Sequence, residues 1–211
     1  MSTYEFPSGV YPASDEVTHG TAGVLFSARS GATQTATRSG SAWLYQVSFR
    51  NRNRRAYAKL TAAIARLNGR QHRIIAPIWS YPGPQGSASI GGGRVDGADQ
   101  TGVILKTKGW SGRGAVLYAG DLIELQYAGR SSSNVDVEPR LHEVVVDAEN
   151  AVQVDLEVWP PIVNAPDDNA VISIVHPRET WILVQDATFG RRADTSNEVQ
   201  LTLASDLLVG T

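Results

Sequence analysis

The residues best equipped for chemistry are His19, His72, His142 and His176, Ser111, and the carboxylate pairs Asp167-Asp168 and Asp147-Ala148-Glu149. Each would need company. A metal site needs further His, Cys or carboxylate ligands at a fixed spacing on one element, and none of the four histidines has them. A nucleophilic serine needs a Gly-x-Ser-x-Gly elbow between a strand and a helix. Ser111, in GWSGRG, has neither flanking element. The acidic pairs lie in turns, where Asp accommodates the backbone, and a glycosidase or a calcium loop would need more carboxylates at defined positions. The run IGGGRVDG suggests a phosphate cradle. No Gly-Lys-Ser/Thr follows it and no helix starts after it, so it reads as a connector. The reading is of a chain that is not an enzyme, with no catalytic, cofactor-binding or metal-binding residue and no cofactor.

The elements that would position such groups are mostly strands. Val24, Phe26 and Ala28 alternate with small or polar neighbours, then Thr33, Thr35 and Thr37 alternate, with turns at Ser30-Gly31 and Ser39-Gly40. Trp43, Tyr45, Val47 and Phe49 fall on one face of a third strand, with Leu44, Gln46, Ser48 and Arg50 on the other. After Asn53 the period changes. Tyr57, Leu60, Ile64 and Leu67 recur at three- and four-residue steps, so a helix is expected over residues 54–68, capped by Asn51 or Asn53 and stopped by Asn68-Gly69. Arg54 and Arg55 oppose its macrodipole, which reads as a solvated basic end or one answering an acidic neighbour. The helix face should pack on Trp43, Tyr45, Val47 and Phe49.

Further short strands are expected near 72–79, 94–97, 103–107, 122–127, 141–147, 152–158, 171–175 and 181–185, the last returning to the first sheet. Pro160-Pro161 and residues 166–169 read as breaks. Val199, Leu201 and Leu203 make one more alternating stretch. Residues 1–20 read as an irregular aromatic arm that covers the domain's own sheet or clasps a neighbour. The Gly/Ser-rich PGPQGSASIGGG marks a junction, which divides the chain into residues 1–80 plus 177–211 and an insertion at 81–176. Trp43, Trp79, Trp110, Trp159 and Trp181 each sit in or beside a strand, as core or interface residues do.

Composition agrees with a packed body. Of 211 residues, 42% are hydrophobic, and 19 basic side chains nearly balance 21 acidic ones, which steers the chain toward neither sequence-specific nucleic-acid binding nor an anionic membrane. There is no cysteine, so no disulfide or thiolate site exists. MSTYEFPSGVYPAS has neither the basic start nor the apolar stretch of a signal peptide, and no apolar run approaches the roughly 20 residues of a membrane span.

Several segments in order carry a family resemblance. FSARSGATQTATRSGSAWLYQVSF is followed by the helix AYAKLTAAIARLNGR. RVDGADQTGVILKTKGW comes next, then VLYAGDLIEL with its Ala-Gly-Asp turn. VWPPI with NAPDDNAVI follows, and HPRETWILVQD is last. By this order and spacing, over roughly residues 24–186, the chain resembles the distal tail proteins of long-tailed bacteriophages and gene-transfer agents. Two segments depart from the pattern: the lengthened turn GRSSSNVDVEP and the tail after Arg191.

The resemblance implies a mainly β fold: a β-sandwich or split-barrel unit flanked by one α-helix, with an inserted small β-barrel. It implies a structural role at the tail tip, as a homo-oligomeric ring, typically a hexamer. Such a ring joins the tail tube protein above to the hub, the tape-measure protein and tail fibre proteins below. The chain would then be assembled in the host cytoplasm and end up in the virion. Another tail-tube or minor tail subunit is the alternative within this class. A carbohydrate- or receptor-binding module at residues 81–176 is the alternative outside it.

Overall fold

The structure, a computed structural model, describes residues 1–20, 23–27, 33–37, 42–51, 53–88, 93–111, 115–128, 137–149, 153–191 and 197–205. Over these residues the chain is mainly β with a single helix. The first segment runs β1 (Thr3–Glu5), β2 (Ser14–Gly20), β3 (Gly23–Ser27), β4 (Thr33–Thr37), β5 (Ala42–Asn51), α1 (Arg54–Leu67) and β6 (Arg73–Pro77). The middle runs β7 (Arg94–Val95), β8 (Gly102–Lys108), β9 (Ala115–Leu117), β10 (Leu122–Ala128), β11 (Val137–Val144), β12 (Ala148–Glu149), β13 (Gln153–Ile162) and β14 (Ile172–Ser173). The last segment is β15 (Arg178–Leu183), β16 (Thr188–Arg191) and β17 (Asn197–Ser205).

A seven-stranded sheet has the order β1-β6-β15-β17-β5-β2, with β16 also on β17. A six-stranded sheet has the order β14-β10-β11-β13-β8-β7. The first sheet draws on both ends of the chain and the second on its middle. Two antiparallel two-stranded pairs, the successive strands β3-β4 and the sequence-distant β9-β12, stand apart from them.

Helix α1 forms where the period switches from two to 3.6. Asn53 caps it by accepting a hydrogen bond from the Arg55 amide at 2.8 Å, and Asn68 ends it in the left-handed conformation at φ 45°. Its buried Leu60 and Leu67 share one core with Trp43, Tyr45, Val47 and Phe49 of β5, and Tyr57 and Ile64 pack at the margin of that core. The expected facing of helix and strand is therefore the observed one. A second core of Leu105, Ile123, Leu125, Leu156, Ile172 and their neighbours fills the six-stranded sheet.

Two readings of the sequence need correction. The N-terminal segment is not irregular: β1 pairs in parallel with β6, and β2 pairs antiparallel with β5 from Ser14↔Ser48 to Gly20↔Ala42. Edge strands bury little, and Val17 is the one aliphatic side chain in Ser14–Gly20, so the period-two signal was faint. Pro160-Pro161 does not break the middle sheet; β13 runs through both. Its pairing with β8 skips from Glu157↔Ile104 to Ile162↔Gly102, so the prolines, which have no N–H to donate, sit at a ladder irregularity. The alternating stretch of Val199, Leu201 and Leu203 is a strand, as its period implied. β17 lies between β15 and β5, with all three side chains in the first core.

The Gly/Ser-rich segment is only partly a connector. Ser87 and Ala88 donate backbone hydrogen bonds to Ala115 and Val116 at 3.0 Å each. A Cβ on Gly86 would lie 2.1 Å from the Val116 carbonyl oxygen, so only glycine lets the two backbones approach. The turns expected at Ser30-Gly31 and Ser39-Gly40, the Ile90–Gly92 part of IGGGRVDG and most of the GRSSSNVDVEP loop lie outside the described residues.

Candidate functional site

The densest polar chemistry lies where β6 and β15 of the larger sheet meet β10 and β11 of the smaller one. Three ion pairs cross this junction. Arg73 Nη1 is 3.5 Å from Glu138 Oε1, Arg140 Nη1 is 3.1 Å from Glu179 Oε1, and Arg178 Nη2 is 2.9 Å from Glu124 Oε1. In each pair one partner belongs to the first sheet and the other to the second. Glu124, Glu138, Glu179 and Arg73 are all buried.

Hydrogen bonds complete the seam. Glu179 accepts from the Leu141 amide at 2.7 Å and from the Thr180 amide at 2.8 Å. Thr180 Oγ1 donates to the Pro139 carbonyl at 3.1 Å, and Trp43 Nε1 donates to the Leu141 carbonyl at 2.9 Å. Arg178 holds Glu124 through its side chain and its own amide. Removing one member of such a pair costs about 3–5 kcal/mol, because the other charge stays buried alone. What the pairs confer is orientation: either sheet sliding over the other would strand several charges at once.

Burial pushes the Glu179 carboxyl up to about 7, against the pull of Arg140 and the two amides. Burial pushes His142 down to about 4; Arg140 adds to this, and the 2.7 Å contact of Nδ1 with the Pro160 carbonyl opposes it. The Tyr127 hydroxyl, in the same region, is raised by burial.

Beside the seam is an open cleft of about 300 Å³ that includes His19, Trp43, Ser80, Tyr81, Leu122 and Glu143 in its lining. His19 Nε2 lies 2.5 Å from Glu143 Oε2, and its ring is 4.3 Å from Trp159 and 4.9 Å from Trp43. The two tryptophans meet edge to face at 4.7 Å. This cluster also joins β2 and β5 to β11 and β13. The His19 side chain is 53% exposed, so its pair with Glu143 is screened by water and works as a surface clasp.

The other residues considered from the sequence are spread over the molecule. His72 accepts a hydrogen bond from the Ser2 amide and meets Tyr4 edge-on. His176 occupies a turn with φ 47°. Ser111 is exposed. Asp168 takes the Gly97 amide and Lys108, and Asp147 takes the Ala119 amide, so both hold turns. Asp121, in the Ala-Gly-Asp turn, is buried and accepts from the amides of Gln85 and Tyr118. Trp43, Trp110 and Trp181 are buried in the cores. Among the described residues, no three His, Asp or Glu side chains gather as a metal site would require, and no helix is long and apolar enough to cross a membrane.

Sequence reasoning missed the seam itself. A signal was available in DLIELQY: a charge between Ile123 and Leu125 in a strand whose apolar run implies that both faces are covered. No protein-family model matches this chain, and no curated protein matches it.

Proposed function

We propose that the chain is a structural subunit of a bacteriophage tail tip, acting as a ring that joins the tail tube to the hub and receptor-binding apparatus. On this reading residues 1–80 with 177–211 form the tube-like unit and residues 81–176 the inserted barrel. The partners are further copies of the chain in a ring of about six, the tube protein, the hub and tape-measure proteins, and tail fibres. The particle is assembled in the host cytoplasm, and the chain carries no catalytic role.

The observation that carries the proposal is the buried charge seam. A ring that transmits load between a tube and a hub needs its two units held in one orientation, and three ion pairs, each with a buried carboxylate, supply that. The sequence resemblance supplies the biological setting. The outer strands add a second support: among the described residues β2 has one sheet neighbour, β5, and its other edge can take a strand from another subunit. The glycan-module alternative gains nothing from the cleft, because Trp43 is only 2% exposed and offers no open ring face to a sugar.

Light scattering on the purified chain should give a mass several times the 22.7 kDa of one copy, and negative-stain images should show closed rings. A monomer that binds a host glycan, and loses that binding when Trp159 is changed to Ala, would replace this proposal with the module reading.

A further inference from the structure

The net charge of −2 conceals a strong segregation: residues 50–73 hold eight cations and no carboxylate, so the rest of the chain carries −10. Some of those cations are in use. Arg73 pairs with Glu138, and the Arg70 guanidinium donates to the Val184 carbonyl. Arg54, Arg55, Lys59 and Arg66 lie on the helix and are exposed. Arg55, Lys59, Ala62 and Arg66 follow one another at steps of four, three and four residues, so they share one face, and all four are exposed. That face lies opposite Leu60, Ile64 and Leu67. Over the described residues none of the three cations is paired with a carboxylate, and Lys59 makes only a hydrogen bond to the Ser8 carbonyl, at 3.2 Å. The first turn has no acidic residue, although cations there work against the helix dipole. Within one copy, Lys59, Ala62 and Arg66 line only an open cleft beside Glu5, Pro7 and Ser8.

A complementary surface exists on the same chain. On one face of the smaller sheet, either side of β13, Ile104, Val145 and Val146 are 44%, 45% and 52% exposed. They are neighbours through the backbone: Ile104 pairs with Glu157, and the Val145 amide donates to the Glu157 carbonyl. Glu157 shares their face, Asp147 and Glu149 follow Val146 in the chain, and the neighbouring cross-strand pair on that face is Asp155 with Lys106; no cation of the described residues forms an ion pair with Glu157, Asp147 or Glu149. An apolar centre with a charged rim is the anatomy of a protein interface.

We infer that the basic face of α1 on one copy docks against the acid-rimmed patch at Ile104 and Val145–Glu149 of the next copy. The contact is heterologous, so repeating it generates a ring or a filament, and the inference rests on the ring reading given above. Charge complementarity selects the occupant. A nucleic acid would meet three cations spread over about 16 Å of helix on a body that is otherwise strongly acidic, whereas a second copy brings the matching rim.

The test uses the intact chain with three substitutions at a time. R55E/K59E/R66E changes exposed side chains only, and circular dichroism checks that the helix remains. Light scattering should show this variant as a monomer where the wild type is an oligomer. D147K/E149K/E157K should be monomeric as well, and mixing the two should restore assembly. The milder R55Q/K59Q/R66Q should weaken self-association at least about tenfold and flatten its salt dependence; it also serves should the reversal variant fail to fold. A wild-type oligomer unaffected by either set of substitutions overturns this contact and leaves the ring reading standing. A wild type monomeric at every salt concentration overturns both. Duplex DNA binding that is lost in the helix variants while assembly persists would assign the face to nucleic acid and end the inference.

Discussion

The two cores solve the same packing problem with different side chains. The core of the larger sheet is aromatic: Tyr45 stacks on Trp181 at 4.9 Å, Phe6 on Phe49 at 5.6 Å, and Phe6 meets Trp79 edge-on at 5.0 Å. The core of the smaller sheet is almost wholly aliphatic, with Trp110 as its one aromatic among the buried residues. The larger core is closed by a helix and by the link between β1 and β2, from which Phe6 and Val10 pack onto it. The smaller core is covered by short strands alone, and β-branched and Leu side chains suit that pleated interior. Where the cores meet, neither solution is used, and buried charge takes over.

This contrast orders the expected effects of mutation. Leu60→Asp should abolish folding of the aromatic core, since an unpaired charge in a fully buried position costs more than a domain of this size can spare. Soluble, folded protein would show that α1 does not face the core. Glu179→Ala at the seam should cost about 3–5 kcal/mol in urea unfolding, and both cores should loosen together. Loss of tryptophan burial without loss of cooperativity would mean that the seam does not couple them. Leu105→Ala in the aliphatic core should cost about 2–5 kcal/mol.

Acidity separates the two titrating groups of the seam. Glu179 binds its proton more tightly when folded, so its stabilising contribution is complete below pH 4.5 and is lost as pH rises through about 7. His142 binds its proton less tightly when folded, so its contribution is complete above pH 6.5 and is lost as pH falls through about 4. Each amounts to about 3 kcal/mol, with opposite slopes between pH 4.5 and 6.5. Relative to wild type, Glu179→Gln should make stability climb more steeply with pH in that window, and His142→Gln should make it climb less. Identical profiles for the three proteins would show that neither group changes its proton affinity on folding. The smallest effect belongs to Asn53→Ala, about 1 kcal/mol from the lost cap.

Much of the first sheet was legible in the sequence because its signals are local. The switch of period at Asn53 located the helix to within a residue of its observed end at Leu67, and the alternation of Trp43 to Phe49 gave the buried face of β5. The edge strand β2 was faint because a strand with one neighbour and a single aliphatic residue has little pattern to show. The central place of β17 was hidden because its partner β5 lies well over a hundred residues earlier in the chain. The charges of the seam were hidden for a related reason. Glu124, Glu179 and Arg140 look like surface residues until their partners are supplied, and those partners come from distant segments. The basic face of α1 was visible in part, as Arg55 set against the helix dipole. Its acid-rimmed counterpart needed the hydrogen bonding of β8, β13 and the Val145 turn.

The most direct test of the structural role is to build phage particles without this chain and image them. The account predicts tails of full length that end without a tip and do not adsorb to the host. Complete, infective tails in its absence would contradict it.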